Sequence, residues 1–249
     1  MQEKTFPKAN RPFRLEGSFN VRDLGGYPTQ DGGVTRTHVF LRGGDLSRLT
    51  DRDLDALYGY GVRQVVDLRG TEEAERNRDT IRGYQDVEYV HAPMFEQIHS
   101  NFMRGPFPDD WDGMVRLYHR LLVDSKAAIQ KSISAMARAE GTCLFHCTAG
   151  KDRTGVLAML LLRIVDVPDA MIVEDYQVSF ENNRALMERM MAERPELEGE
   201  VPIHVFYSKP HYMEQALQYL DVTYGGAQSY LLSIGVAQGE LDAIRKRFL

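Results

Sequence analysis

His146-Cys147-Thr148-Ala149-Gly150-Lys151-Asp152-Arg153-Thr154-Gly155 is the stretch on which the reading of this chain turns. The apolar run Cys143-Leu144-Phe145 precedes it, and a nearly unbroken apolar run from Val156 to Val165 follows. The pattern predicts a loop that leaves a buried strand and enters a buried helix, carrying a cysteine and an arginine with five residues between them. Such a loop suits a phosphate dianion. Its backbone N–H groups can turn inward, and the helix N-terminus adds partial positive charge. Arg153 offers a planar fork for two phosphate oxygens. Cys147 would lie beneath the phosphorus, where the same amides and Arg153 should bring its thiol below the free value of about 8.5. The phosphate-binding set is then Thr148, Ala149, Gly150, Lys151, Asp152, Arg153 and Thr154. His146 orients the loop through hydrogen bonds, and the Thr154 hydroxyl can donate to the sulfur as it leaves.

Other loops share parts of this pattern. A nucleotide-binding P-loop would need glycine where Phe145 stands and serine or threonine where Asp152 stands. A sulfur-transfer loop of the rhodanese type is typically one residue shorter. A lone cysteine can also be no more than a small buried hydrophobe. The complete set of Cys147, Arg153 and Thr154 favours chemistry over packing.

His-Cys-x5-Arg-Thr resembles the signature of the cysteine-dependent protein tyrosine phosphatase superfamily. The filling is similar to one branch, the bacterial tyrosine and lipid phosphatases, marked by His-Cys-x-x-Gly-Lys-Asp-Arg. The stretch Asn20-Val21-Arg22-Asp23-Leu24-Gly25-Gly26-Tyr27 resembles that branch too, as do Val65-Val66-Asp67-Leu68-Arg69 and Tyr224-Gly225-Gly226 with Tyr230-Leu231. The resemblance runs from about Phe13 to the end. It implies a tyrosine phosphatase-like α/β fold. It also implies activity on phosphotyrosine, with phosphoserine, phosphothreonine and phosphoinositides as further substrates, the extra cation of Lys151 suiting an inositol ring.

Thiolate attack at phosphorus gives a cysteinyl-phosphate that water hydrolyses, and the leaving oxygen needs a proton. Asp152, inside the loop, is the first candidate acid; the branch's Lys-Asp pair points the same way, and Asp152 could instead orient Arg153. Asp67, at the end of a predicted strand, is second. Asp109 and Asp110 lie beside Trp111, although Trp-Pro-Asp itself is absent. No metal or cofactor is called for, since Arg153, Lys151 and amide groups neutralise the phosphate. The competing function is a catalytically silent module that binds phosphopeptides or phospholipids, for which a nucleophile has no use.

The 249 residues, 43% of them hydrophobic, fit one large phosphatase domain over 1–249. A net charge of −6 argues against a nucleic-acid partner. Two cysteines and no apolar leader point to a cytoplasmic protein, with export by a dedicated machine left open. The longest apolar run is too short to span a bilayer. Oligomeric state is not legible.

Residues 1–14 read as a tail or strap, and 93–112, with alternating prolines and aromatics, as a flap over the site or a buried connector. Arg22 and Asp23 read as an ion pair pinning a loop, while Arg42 before Gly43 and Gly44 suits a close backbone approach. Thr50 and Asp53 read as a reciprocal helix cap, and the charged piece Thr71 to Arg78 as a solvated face. Met187, Met190 and Met191 read as core. The expected architecture is a small central sheet flanked by helices, with a helical C-terminal third over about 169–180, 182–193, 209–221 and 227–248, broken at Gly235.

Overall fold

The computed structural model describes residues 12–94, 111–193 and 205–249. The flap proposed for 93–112, with Asp109 and Asp110, falls almost wholly outside them, as does most of the N-terminal strap. Among the described residues five strands form one sheet: β1 (Arg22–Asp23), β2 (Phe40–Gly43), β3 (Val62–Asp67), β4 (Glu88–His91) and β5 (Thr142–His146). Their spatial order is β1-β2-β5-β3-β4, antiparallel only between β1 and β2. The strand that enters the Cys147 loop is therefore central.

Alternation along the strands sorts the side chains into two layers. Phe40, Val66, Cys143 and Phe145 join the larger apolar cluster, while Leu41, Val65 and Leu144 join the smaller one on the opposite face. The smaller layer is closed by α1 (Asp51–Tyr60), whose Leu54 and Leu57 are buried there. Thr50 and Asp53 cap α1 reciprocally, and Gly61 ends it in the left-handed region at φ 105°. The short α2 (Thr71–Arg76) follows β3.

The larger layer is built by α3 (Trp111–Asp124), α4 (Lys126–Arg138) and α5 (Asp152–Ile164), with Leu121, Ile129 and Leu157 fully buried. The C-terminal third is helical as expected: α6 (Asp169–Asn182), α7 (Arg184–Glu193), α8 (Pro210–Tyr224), α9 (Ala227–Ser233) and α10 (Gln238–Phe248). The methionine cluster corrects the sequence reading. Met187, Met190 and Met191 are half-buried on α7, which has no fully buried residue. Among the described residues no helix is long and apolar enough to cross a membrane.

Register fixes where a site can be. Gly43 of β2 and Asp67 of β3 both pair with His146 of β5. Three parallel strands thus end at one level, and the loops leaving them share the carboxyl edge of the sheet, where open α/β folds hold ligands.

Candidate active site

Residues 147–151 form a loop between β5 and α5, and its carbonyl groups are tied outward. The Cys147 carbonyl lies 3.1 Å from His146 Nδ1, and the Thr148 carbonyl accepts from the Asp45 backbone N–H at 2.8 Å. Ala149 accepts from Asn20 and Asn183, and Gly150 from Asn20 and Arg42. The Lys151 carbonyl accepts from the Gly155 N–H at 2.8 Å. A planar trans peptide turns its N–H opposite to its C=O. The N–H groups of residues 148–152 are therefore directed to the inside of the loop, beside the first turn of α5. Gly150 lets the chain close: its φ is 63°, and a Cβ there would meet the Gly43 carbonyl oxygen at 2.4 Å. Gly44 admits the loop in the same way, since a Cβ there would meet the Thr148 carbonyl oxygen at 3.0 Å.

Cys147 is 3% exposed at the start of the loop. Arg153, the second residue of α5, is paired with Glu73 of α2, Nη1 at 2.8 Å and Nη2 at 3.2 Å. Arg153 Nη2 also donates to the Thr148 hydroxyl at 3.1 Å, and that hydroxyl donates to Glu73. Burial opposes the charge on Arg153, but Glu73 and then Cys147 outweigh it and raise the guanidinium pKa further. Glu73 is 3% exposed, the one charge that turns inward on a helix whose Thr71, Glu72, Glu75 and Arg76 are exposed as its composition suggested. A six-residue helix with four charged residues carries no sign of which charge turns inward.

His146 sits beneath the loop in a sealed ionic cluster. Its Nε2 lies 3.0 Å from Asp79 and 3.7 Å from Asp67. Burial alone would lower the imidazole pKa; the two carboxylates outweigh it and raise it to about 9. Arg69 ties the same acids together, 2.7 Å from Asp67, 2.8 Å from Asp79 and 2.5 Å from Asp45. Asp67, Asp79 and His146 have the donor types of a metal site, but the Arg69 guanidinium already bridges both carboxylates. Asp67 also accepts from the Arg69 N–H at 2.9 Å and from Tyr89 at 2.6 Å. Burial would raise its pKa, yet His146 and Arg69 hold it below the ordinary carboxylate range.

A second buried cluster braces the other side. Asp175 of α6 pairs with Arg22 at 2.8 Å and with Arg42, and accepts from Tyr27 at 3.0 Å. The two arginines overcome burial and lower its pKa to about 2. Arg22 and Asp23 are thus not each other's partners: Asp23 instead accepts from the Gly25 and His38 backbone and from Tyr60. Neighbours on a strand face opposite sides.

Asp152 opens α5 with its side chain 28% exposed, accepting from Tyr118 at 2.7 Å. Lys151 is 3% exposed: its ammonium donates to the carbonyls of Val205 and Tyr207 and lies 3.4 Å from Asp152. The Thr154 hydroxyl is fully buried without a hydrogen-bond partner among the described residues, so the expected donation to sulfur is not formed here.

Sequence reasoning passed over Glu73, Asp45, Asp79 and Asp175. Only Asp175 left a trace: it lies on the face of α6 shared by Ile172, Tyr176 and Ser179, all buried.

Residues 13–249 match the profile of the tyrosine phosphatase family. A tyrosine-protein phosphatase of Nostoc commune is 34% identical over 224 residues, covering 84% of this chain and 74% of that protein. The triple specificity protein phosphatase PtpB of Mycobacterium tuberculosis is 26% identical over 271 residues, covering 93% and 96%. With a loop, a sheet and a match of this extent in agreement, the chain belongs to the tyrosine phosphatase family.

Proposed function

We propose that this hydrolase cleaves phosphate monoesters through a covalent phosphate on Cys147. The observation that carries the reading is that four successive loop carbonyls, of Cys147 to Gly150, are held by groups around the loop and the fifth, of Lys151, by the first turn of α5, which leaves the N–H groups that follow them directed into the loop. Three equatorial phosphoryl oxygens would be met by those N–H groups and by the Arg153 fork, which Glu73 holds in place. The Cys147 thiolate forms a bond to phosphorus as the ester P–O bond breaks. Asp152 gives its proton to the departing oxygen. In the second step Asp152 takes a proton from water, whose oxygen attacks phosphorus, and the P–S bond breaks to restore the thiolate. The unpartnered Thr154 hydroxyl is available to donate to that sulfur.

Asp152 suits the acid role because it is at the loop's own edge and partly open to solvent. Asp67 suits a structural one, being fully buried and ionised among Arg69, His146 and Tyr89. Lys151 serves to fasten the segment at 205–207 to the loop. Phosphotyrosine is the primary substrate class in this reading, which extends to phosphoserine, phosphothreonine and phosphoinositides. The triple specificity in the name of the mycobacterial relative supports a range wider than one residue type. A cytoplasmic setting goes with the two free cysteines.

Turnover of p-nitrophenyl phosphate with and without EDTA, by the wild type and by Cys147→Ser, tests the proposal. Activity that survives EDTA and vanishes in Cys147→Ser is expected. Loss on chelation, or full activity without the thiol, would refute it.

A further inference from the structure

Asp152 is not held by the loop alone. Its Oδ1 accepts from the hydroxyl of Tyr118 on α3 at 2.7 Å, and that hydroxyl lies 2.7 Å from the hydroxyl of Tyr176 on α6. Both tyrosines are fully buried, their rings packed edge to face with centroids 5.8 Å apart. Tyr212 of α8 stacks on the other side of Tyr118 at 6.4 Å. Three helices thus hold one hydroxyl against one carboxylate oxygen.

The direction of the chain follows from what each group can do. An ionised carboxylate only accepts, so Tyr118 must donate to Asp152. A phenol has a single proton, so Tyr176 must then donate to Tyr118. Burial first, and Asp152 next, raise both phenol pKa values well above the ordinary range, which keeps the donors neutral and protonated. Lys151 approaches the same oxygen, Oδ1, at 3.4 Å. Both named partners therefore engage one oxygen and leave Oδ2 for other work.

We infer that Tyr118, backed by Tyr176, is a positioning residue that fixes Oδ1 of Asp152 and so presents Oδ2 to the leaving-group oxygen. This rests on the reading of Asp152 as the acid. The Tyr118 hydroxyl neither touches substrate nor supplies the transferred proton. The proton leaves Oδ2 in the first step and returns there from water in the second, while the hydrogen bond at Oδ1 persists. The arrangement favours esters whose leaving oxygen is strongly basic. An alkoxide requires that proton, whereas p-nitrophenolate leaves readily without it.

The test is a four-member cycle of wild type, Tyr118→Phe, Asp152→Asn and the double variant. kcat and KM are measured for p-nitrophenyl phosphate and for an alkyl phosphate, O-phosphoserine in a short peptide. Tyr118→Phe keeps the ring and its packing. It should lower the ratio of alkyl to aryl kcat/KM, which reports P–O cleavage and leaves out the hydrolysis step common to both substrates, about tenfold, as for loss of one hydrogen bond to a charged group. Asp152→Asn should lower that ratio by about 10²-fold or more. In the Asp152→Asn background, Tyr118→Phe should lower the ratio no further. Tyr176→Phe, which removes only the rear donor, should show a smaller loss of the same kind. If Asp152→Asn spares the ratio, the assignment of the acid fails, and the inference with it. If Asp152→Asn lowers the ratio but Tyr118→Phe does not, the inference alone fails. Equal loss on both substrates, or further loss in the double variant, would show a merely structural tyrosine and overturn it as well.

Discussion

The guanidinium of Arg153 is clasped by Glu73, a residue 80 positions earlier, through two contacts of 2.8 and 3.2 Å. The pair joins the first turn of α5 to α2 across the mouth of the loop. Both side chains are largely shielded, at 13% and 2% exposure, so the interaction is not diluted as a surface pair would be. It fixes the plane of the fork that the proposed mechanism brings against two phosphoryl oxygens.

Glu73→Gln keeps the volume and removes the charge. It should destabilise the protein by about 1–3 kcal/mol, read from urea unfolding. It should lower kcat/KM by up to about 10²-fold through misplacement of the fork. Wild-type stability and kinetics in this variant would mean that Glu73 is incidental to Arg153.

Asp79 and His146 give the protein a basic-side stability limit. An unfolded histidine titrates near pH ~6.5, whereas His146 is raised to about 9 by Asp79 and Asp67 against the opposing effect of burial. The folded state therefore binds this proton more tightly. The stabilisation is fully present below the unfolded value and is lost as pH rises through 9. Arg69 faces the same carboxylates and stays charged throughout. Unfolding free energy should fall by roughly 1–3 kcal/mol between pH 6.5 and 9.5. Asp79→Asn should flatten that slope, and an unaltered slope would remove His146 as its source.

Peroxide should inactivate the protein at Cys147 without linking it to Cys143. Cys143 is fully buried on β5, and burial pushes its thiol pKa up, leaving it a poor nucleophile. Four residues of extended chain span about 13 Å, beyond the Cα separation of roughly 7 Å at which a disulfide closes. Mass spectrometry of peptides after peroxide treatment should find oxidised Cys147 and free Cys143. A dominant 143–147 crosslink would contradict the geometry.

The loop and the elements around it were legible because their signals are local. Phe145 to Gly155 carries its strand, turn and helix in one stretch, and Thr50 with Asp53 carries a cap whose two halves lie three residues apart. The helices after Pro168 follow from periodicity, a proline and a pair of glycines, and they appear close to where those place them. What the sequence hid is long-range. Glu73 meets Arg153 and Asp45 meets Arg69 because the parallel strands they follow end at one level, and Asp175 reaches Arg22 and Arg42 from α6. The place of the Lys151 side chain was hidden for a related reason: a long flexible side chain goes where acceptors are, and here those are the carbonyls of Val205 and Tyr207. The half-buried methionines of α7 show the converse, apolar residues at helical spacing that stay partly exposed among the described residues.

The central claim is a bond between Cys147 and phosphorus, and it can be observed directly. Rapid acid quench of the enzyme during turnover of p-nitrophenyl phosphate, followed by mass spectrometry of its peptides, should find one phosphoryl group on Cys147. The adduct should be absent from Cys147→Ser and should decay in wild type as substrate is exhausted. A phosphoryl group on another residue, or steady turnover with no covalent adduct at any quench time, would contradict the account.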